Sequence, residues 1–337
     1  MKYTIHIAYL FILLSLSSCF KKEDLLILPE GHSEITTLYL GQDYTKEMFF
    51  DLGSNSYKSS ESIDWDMKFQ SSKDGYGIFL NTGNFISARK IEVGGLGEFN
   101  SNDTFNILKF PKLIDAPEGS IEKSALGDWR TYKYLGNVQI YVVELSYLSG
   151  NQRYKRLKIL NYNDSSYKIV VADIGDTAGD TMLIAKDKQR NYTYFTFKNG
   201  GKVVSNQEPS KELWDIQFTR YNHFFPDILP NGELFPYRVL GVLSNPNKVE
   251  IARDSMNRYE NLNASSIKDY TFSKDLNAIG FDWKEHAFGA QGTYTINPNI
   301  SFIIKDTEGF YYKFHFIDFY NPQGDKGYPK FEFERIK

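Results

Sequence analysis

From Thr36 onward, polar and apolar positions alternate with a period of two, the mark of strands that bury one face. The run Val138-Gln139-Ile140-Tyr141-Val142-Val143-Glu144-Leu145 shows it most plainly and predicts a half-buried strand. Tyr154 to Leu160, Tyr167 to Val171, Tyr192 to Phe197, Ser301 to Lys305 and Tyr312 to Phe319 read the same way. Their aromatic and β-branched residues suit a pleated surface. Turn formers separate them: Ser149-Gly150-Asn151-Gln152, Asn161-Tyr162-Asn163-Asp164, Asn199-Gly200-Gly201 and Thr307-Glu308-Gly309. Short helices are expected only over Pro117 to Leu126 and Ser265 to Leu276. The pattern predicts a mostly β protein of antiparallel sheets.

The strand pattern also repeats. Trp65-Asp66-Met67-Lys68-Phe69 recurs as Trp214-Asp215-Ile216-Gln217-Phe218, and Ala125-Leu126-Gly127-Asp128-Trp129-Arg130 recurs as Ala278-Ile279-Gly280-Phe281-Asp282-Trp283-Lys284. Tyr154-Lys155 returns as Tyr312-Lys313, and Phe50 and Leu52 find counterparts in Phe195 and Phe197. Trp65, Trp129, Trp214 and Trp283, the 4 tryptophans of the chain, all fall within this scheme. Two related β halves follow, 37–187 and 188–337, joined near Asp187. In each Trp-Asp strand the tryptophan points into the core. The aspartate, Asp66 or Asp215, receives backbone N–H groups at the strand start. A catalytic role would need an acid or base partner, and no motif supplies one.

Ahead of the first strand the pattern changes. An apolar run from Ile5 to Leu16 ends in Leu16-Ser17-Ser18-Cys19, followed by Phe20-Lys21-Lys22-Glu23-Asp24. The run has the length of a signal-peptide core and is short for a membrane span. Small residues before a cysteine resemble a bacterial lipobox, so residues 1–18 read as a lipoprotein signal peptide, Cys19 as the lipidated residue and 19–36 as its tether. More than one acyl chain on Cys19 makes a firm anchor.

Composition narrows the function. The 337 residues carry 39 Lys+Arg against 42 Asp+Glu, which argues against a nucleic-acid partner. A single cysteine leaves no intramolecular disulfide or thiolate metal cluster. Aromatic residues reach 16%, while histidines number only 5. No zincin, nucleophile-elbow, Walker or dinucleotide-binding motif is present, so the chain reads as a non-enzyme. The stretch Gly94-Gly95-Leu96-Gly97 precedes no helix start. Asp173, Asp176 and Asp180 lack the closing bidentate carboxylate of a Ca²⁺ loop.

The segment Phe195-Thr196-Phe197…Gly200…Val203-Val204…Trp214-Asp215-Ile216-Gln217-Phe218 resembles the opening signature of the HmuY-like haem-binding lipoproteins. The closing run is similar too: Gly292-Thr293-Tyr294, Ile300 to Asp306, Gly309 and Tyr311 to Phe316. The resemblance is best from about residue 192 to the C-terminus, with a weaker echo over 38–174. It implies a β fold, a surface-exposed outer-membrane lipoprotein, and haem binding and uptake in concert with an outer-membrane receptor. Haem iron takes axial His, Met, Cys or Tyr. The resemblance implies His286 as one ligand, with Met256 or His223 upstream as the second. No histidine lies between His32 and His223, so a His-ligated haem belongs to the second half. His315, in mid-strand, reads as a core or surface residue. The rival reading is a surface lipoprotein that binds glycan or protein without haem, as an accessory subunit of an outer-membrane complex.

Overall fold

The computed structural model describes residues 31–91, 107–131, 139–176, 178–226, 228–256, 258–286 and 292–336. The expected strands form, and every strand pairing is antiparallel. The early strands are β1 (Ser33–Thr37), β2 (Lys46–Asp51), β3 (Ser56–Glu61), β4 (Met67–Gln70), β5 (Ile78–Leu80) and β6 (Ser87–Ile91). Then come β7 (Ile140–Glu144), β8 (Tyr154–Tyr162), β9 (Ser166–Asp173), β10 (Asp180–Ala185), β11 (Tyr192–Thr196) and β12 (Lys202–Val204). The last group is β13 (Ile216–Phe225), β14 (Phe235–Ser244), β15 (Glu250–Asp254), β16 (Lys284–His286), β17 (Tyr294–Ile296), β18 (Ser301–Lys305), β19 (Tyr311–Tyr320) and β20 (Lys326–Arg335).

These strands build two sandwiches, one nested within the other. The inserted sandwich is contiguous in sequence: its sheets run β10-β9-β8-β7-β6 and β12-β11-β4-β5. Between them lies a core that includes Met67, Phe69, Trp129, Tyr141, Leu157, Tyr167, Phe195 and Phe197. The outer sandwich is split in sequence, with sheets β1-β20-β19-β18-β15 and β14-β13-β2-β3. Its core joins Leu38, Phe50 and Leu52 from the N-terminal strands to Phe218, Trp283, Phe302, Phe314 and Phe331. A fifth, two-stranded sheet, β16-β17, completes the outer unit.

Strand pairing therefore crosses the junction at Asp187. The first Trp-Asp strand pairs with β11, which follows the junction, and the second pairs with β2, which precedes it. Each Trp-Asp strand takes its neighbour from the other repeat. The end of the segment read as a tether, residues 33–36, belongs to the edge strand Ser33–Thr37 beside β20.

Two local expectations change. Residues 117–126 form turns rather than a helix, pinned by Asp115, whose carboxylate accepts the N–H groups of Leu80 at 2.5 Å and Ala125 at 2.7 Å. Residues 265–276 hold only a 3₁₀ turn, Ile267–Asp269, and Ser273 bridges to Ile251. A short segment gains too few helical bonds to offset nucleation once other partners take its backbone. The strand over 140–144 is buried on both faces, because Ile91, Ile107 and Tyr154 cover the side turned away from the main core.

The sandwiches meet across buried polar groups. Glu47 of β2 accepts hydrogen bonds from Trp65 Nε1 at 3.2 Å, Gln207 Nε2 at 2.8 Å and Thr219 Oγ1 at 2.9 Å. A cavity of about 60 Å³ opens beside it, lined by residues of both units including Lys68, Asp115 and Gln217. Burial raises Glu47 above the usual carboxylate range, against the pull of its three donors.

Candidate functional site

The two Trp-Asp strands carry the same hydrogen-bond device. In the outer unit, Asp215 N donates to Phe50 O at 2.8 Å, Leu52 N donates back to Asp215 Oδ2 at 2.9 Å, and Thr307 N donates to Oδ1 at 3.0 Å. In the inserted unit, Asp66 N donates to Phe195 O at 2.8 Å and Phe197 N donates to Asp66 Oδ2 at 2.7 Å. An asparagine braces each turn: Asn245 Nδ2 reaches Trp214 O at 2.6 Å, and Asn81 Nδ2 reaches Trp65 O at 2.9 Å. These aspartates hold strands together: both oxygens of Asp215 and Oδ2 of Asp66 accept the backbone donors. Sequence alone does not reveal the two asparagines, because Asn81 lies 15 residues beyond Asp66 and Asn245 lies 30 beyond Asp215, so the spacing does not repeat.

Burial raises Asp215 to about 8, with Asp51 and Asp306 adding repulsion. The same five-acid corner, Asp51, Glu212, Asp215, Asp306 and Glu308, lines a small cavity of about 10 Å³. Its oxygens are turned to backbone donors: Asp51 Oδ1 accepts from Ser54 N, and Asp306 Oδ1 from Glu308 N and Phe310 N. Among the described residues no group of three His, Cys, Asp or Glu is arranged for a metal ion.

The second tryptophans differ in their surroundings. Trp129 Nε1 donates to Tyr76 O at 2.9 Å. Trp283 stacks on Phe316 with centroids 3.7 Å apart, and its Nε1 has no protein partner. Beside it Lys284 is buried, its Nζ 4.1 Å from the Trp283 ring and donating to Leu240 O at 2.6 Å. Burial pulls this amine down to about 7. The carbonyl and the ring faces supply what a buried ammonium needs.

The histidines divide sharply. His223 lies on β13 and His286 on β16, and each stands against aromatic rings. His223 contacts Phe225 and Phe281, each with centroids at 4.7 Å. It lies opposite Tyr237 across the β13–β14 pair. Tyr294 contacts the His286 ring at 4.8 Å. Tyr294 N in turn donates to Tyr320 Oη at 2.6 Å, which fixes the β16–β17 hairpin to the end of β19. Burial lowers His223, so its ring is neutral at physiological pH, the form a metal accepts. Its Nδ1 is buried without a protein partner.

The remaining candidates lie elsewhere. Met256 is 92% exposed beyond β15, and no contact among the described residues joins it to either histidine. His315 stacks on Tyr259 at 4.0 Å and pairs with Glu332 at 3.1 Å, a half-exposed sheet residue with its bonding satisfied. His32 pairs with Glu34 at 2.8 Å. Cys19, residues 1–18 read as a signal peptide, and the Gly94-Gly95-Leu96-Gly97 stretch lie outside the described residues. Among the described residues no helix is long and apolar enough to cross a membrane.

Residues 241–333 match the family described as HmuY protein. Over this stretch the chain is HmuY-like. The match begins within β14 and ends within β20, so it falls entirely in the outer sandwich and takes in His286, Tyr294 and Met256, while His223 precedes it. Solved structures give fainter likenesses. PinO from Porphyromonas gingivitis is 10% identical with a TM-score of 0.30, covering 91% of this chain and 98% of that one. A Bacteroides vulgatus protein, provisionally described as an HmuY-like heme binding protein, is 11% identical with a TM-score of 0.24, covering 92% and 97%. Scores this low carry no argument about geometry. No curated protein sequence matches the chain significantly.

Proposed function

We propose that this chain is a haem-binding lipoprotein, anchored through lipid on Cys19 at the outer-membrane surface, that takes part in haem uptake as a carrier rather than as an enzyme. One observation carries the reading: His223 and His286, on separate hairpins of the outer unit that contains the HmuY-like stretch, each stand among aromatic rings. Imidazole nitrogens are ordinary axial ligands of haem iron, and Phe225, Phe281, Tyr237 and Tyr294 offer the apolar faces a porphyrin needs. His223 and His286 are the pair that would hold the iron. The buried, unpartnered Nδ1 of His223 lacks the acceptor that commonly orients a ligating imidazole, so the surrounding rings would have to fix its orientation. The inserted sandwich supplies no histidine and acts as scaffold.

Haemin titrated into the chain lacking residues 1–19 is expected to give a saturable Soret change at about one equivalent. His286→Ala and His223→Ala should each alter the bound spectrum, while His315→Ala should not. A spectrum without saturation would remove the haem reading. The exposed ring of Tyr237, stacked with Phe235, favours the second reading, a glycan-binding platform, in that case. That platform would be tested by oligosaccharide quenching of intrinsic fluorescence.

A further inference from the structure

The strand that carries His223 is held on its flank by the other sandwich. β2 pairs with β13 only from Ile216 to Phe218. Past that point β13 would present a bare edge, and a 3₁₀ turn of the inserted unit, Thr82–Asn84, occupies it. Thr82 Oγ1 accepts the N–H of Asn222 at 3.2 Å, one residue before His223. Gly83 packs so closely that a Cβ there would overlap the carbonyl oxygen of Arg220 and lie 2.9 Å from its carbon. Asn84 Oδ1 accepts from Arg220 Nη2 at 3.0 Å. On the partner strand, Arg238 Nη1 donates to Gly83 O at 3.3 Å, and its guanidinium covers the Phe85 ring at 4.1 Å. Phe85 itself holds a left-handed backbone, φ 57°, which a bulky residue adopts only when its surroundings impose it.

These contacts adjoin, on one side, His223 on β13 and Tyr237 on β14, the register partners that form one wall of the candidate site. We infer that Thr82 and Gly83 are positioning residues of that site: the inserted sandwich sets where the His223 hairpin stands relative to the His286 hairpin. Glycine at position 83 is what allows the turn to meet the strand at backbone distance, since any side chain would displace β13. The inserted repeat thus acts on the ligand site of the outer one without contributing a ligand. This inference rests on the proposed site for its consequence, and on the turn contacts alone for its geometry.

Two readouts keep those parts separate. Native-state hydrogen exchange of Gly83→Val should show the Tyr221–Phe225 amides exchanging at least tenfold faster, with the amides of β8 and β9 unchanged. In haemin-loaded protein, the same variant should lose the spectroscopic signature of the His223 ligand and come to resemble His223→Ala, while retaining that of His286. Thr82→Ala, which removes only the acceptor for Asn222, serves as the milder variant should Gly83→Val fail to fold, and should shift both readouts the same way. Unchanged exchange in β13 for the folded variants would overturn the positioning role. A wild-type protein that takes no haemin would remove the ligand site, and the exchange data would then decide the positioning by itself.

Discussion

The two Trp-Asp corners use the same fold device under different electrostatic loads. Around Asp66 the inserted unit adds hydroxyl donors: Thr196 Oγ1 at 2.8 Å and Tyr147 Oη at 3.0 Å both reach Oδ2, and Lys198 lies close enough to favour the charge. Around Asp215 the outer unit offers two backbone N–H groups and places Asp51 and Asp306 nearby. Burial raises both carboxyls, and only Asp215 has like-charged neighbours that raise it further. A repeated strand motif therefore fixes geometry and leaves the charge state to its neighbours.

The largest effect expected from this comparison concerns the exchanged strands. A fragment of residues 62–205 contains the whole inserted core and should unfold cooperatively in urea. A fragment of residues 188–337 lacks β1, β2 and β3, and removes part of the inserted unit's β11 sheet from its partners. It should show no cooperative transition. Cooperative unfolding of the second fragment would mean that the strand exchange is dispensable.

A smaller effect separates the aspartates. Asp66→Ala strands the donors of Phe197, Thr196 and Tyr147 and should cost about 3 kcal/mol by chemical denaturation. Asp215→Asn should act chiefly through pH. Its folded value, about 8, is raised above the ordinary carboxyl value of about 4. The stability held by the bound proton is thus full below about pH 4 and is lost as pH rises through about 8. The slope is at most about 1.4 kcal/mol per pH unit. Denaturation midpoints of wild type should fall over that window relative to Asp215→Asn; parallel profiles would refute the raised value. Lys284, depressed to about 7, acts in the opposite sense, losing stability as pH falls from about 10 to 7, so the two groups overlap only near neutrality.

The smallest effect concerns the second tryptophans. Trp129→Phe breaks a hydrogen bond to Tyr76 O, whereas Trp283→Phe removes an indole N–H that has no protein partner. Beyond the shared loss of ring area, the Trp129 variant should be less stable by about 1 kcal/mol. Equal losses, measured as urea midpoints, would show that the hydrogen bond contributes nothing net.

Much of the strand content was legible because side-chain pattern reports burial: Tyr154 to Leu160 alternates for most of its length, while Ser301 to Lys305 is a short apolar run buried on both faces. The shared Trp-Asp device was legible because the chain has only 4 tryptophans, few enough to align. Strand partnership was not. Nothing local to Phe50 or Phe195 says which Trp-Asp strand it will lie beside, since both candidates present the same backbone device and the choice is made by the connections between sheets. The site was legible only as residue types. His223 and His286 stand 63 positions apart, and the rings beside His223, Phe225 and Phe281, carry no motif. Met256 has the chemistry of a ligand, but its exposure just beyond β15 is set by the tertiary fold, which periodicity does not encode.

The register of β1 has a bearing on how the molecule would stand in its surroundings. The chain enters the outer sheet at Ser33, level with Glu334 and Lys313, and runs alongside β20 to Leu40, whose N–H meets Gly327 O near the Tyr320 end of β19. Seven residues of strand, about 23 Å, separate that entry from the end where Tyr294 and His286 gather. A lipid on Cys19 would therefore pull on one pole while His286 and Tyr294 occupy the other. Held by its foot, the protein would present its aromatic patch to whatever arrives from the aqueous side.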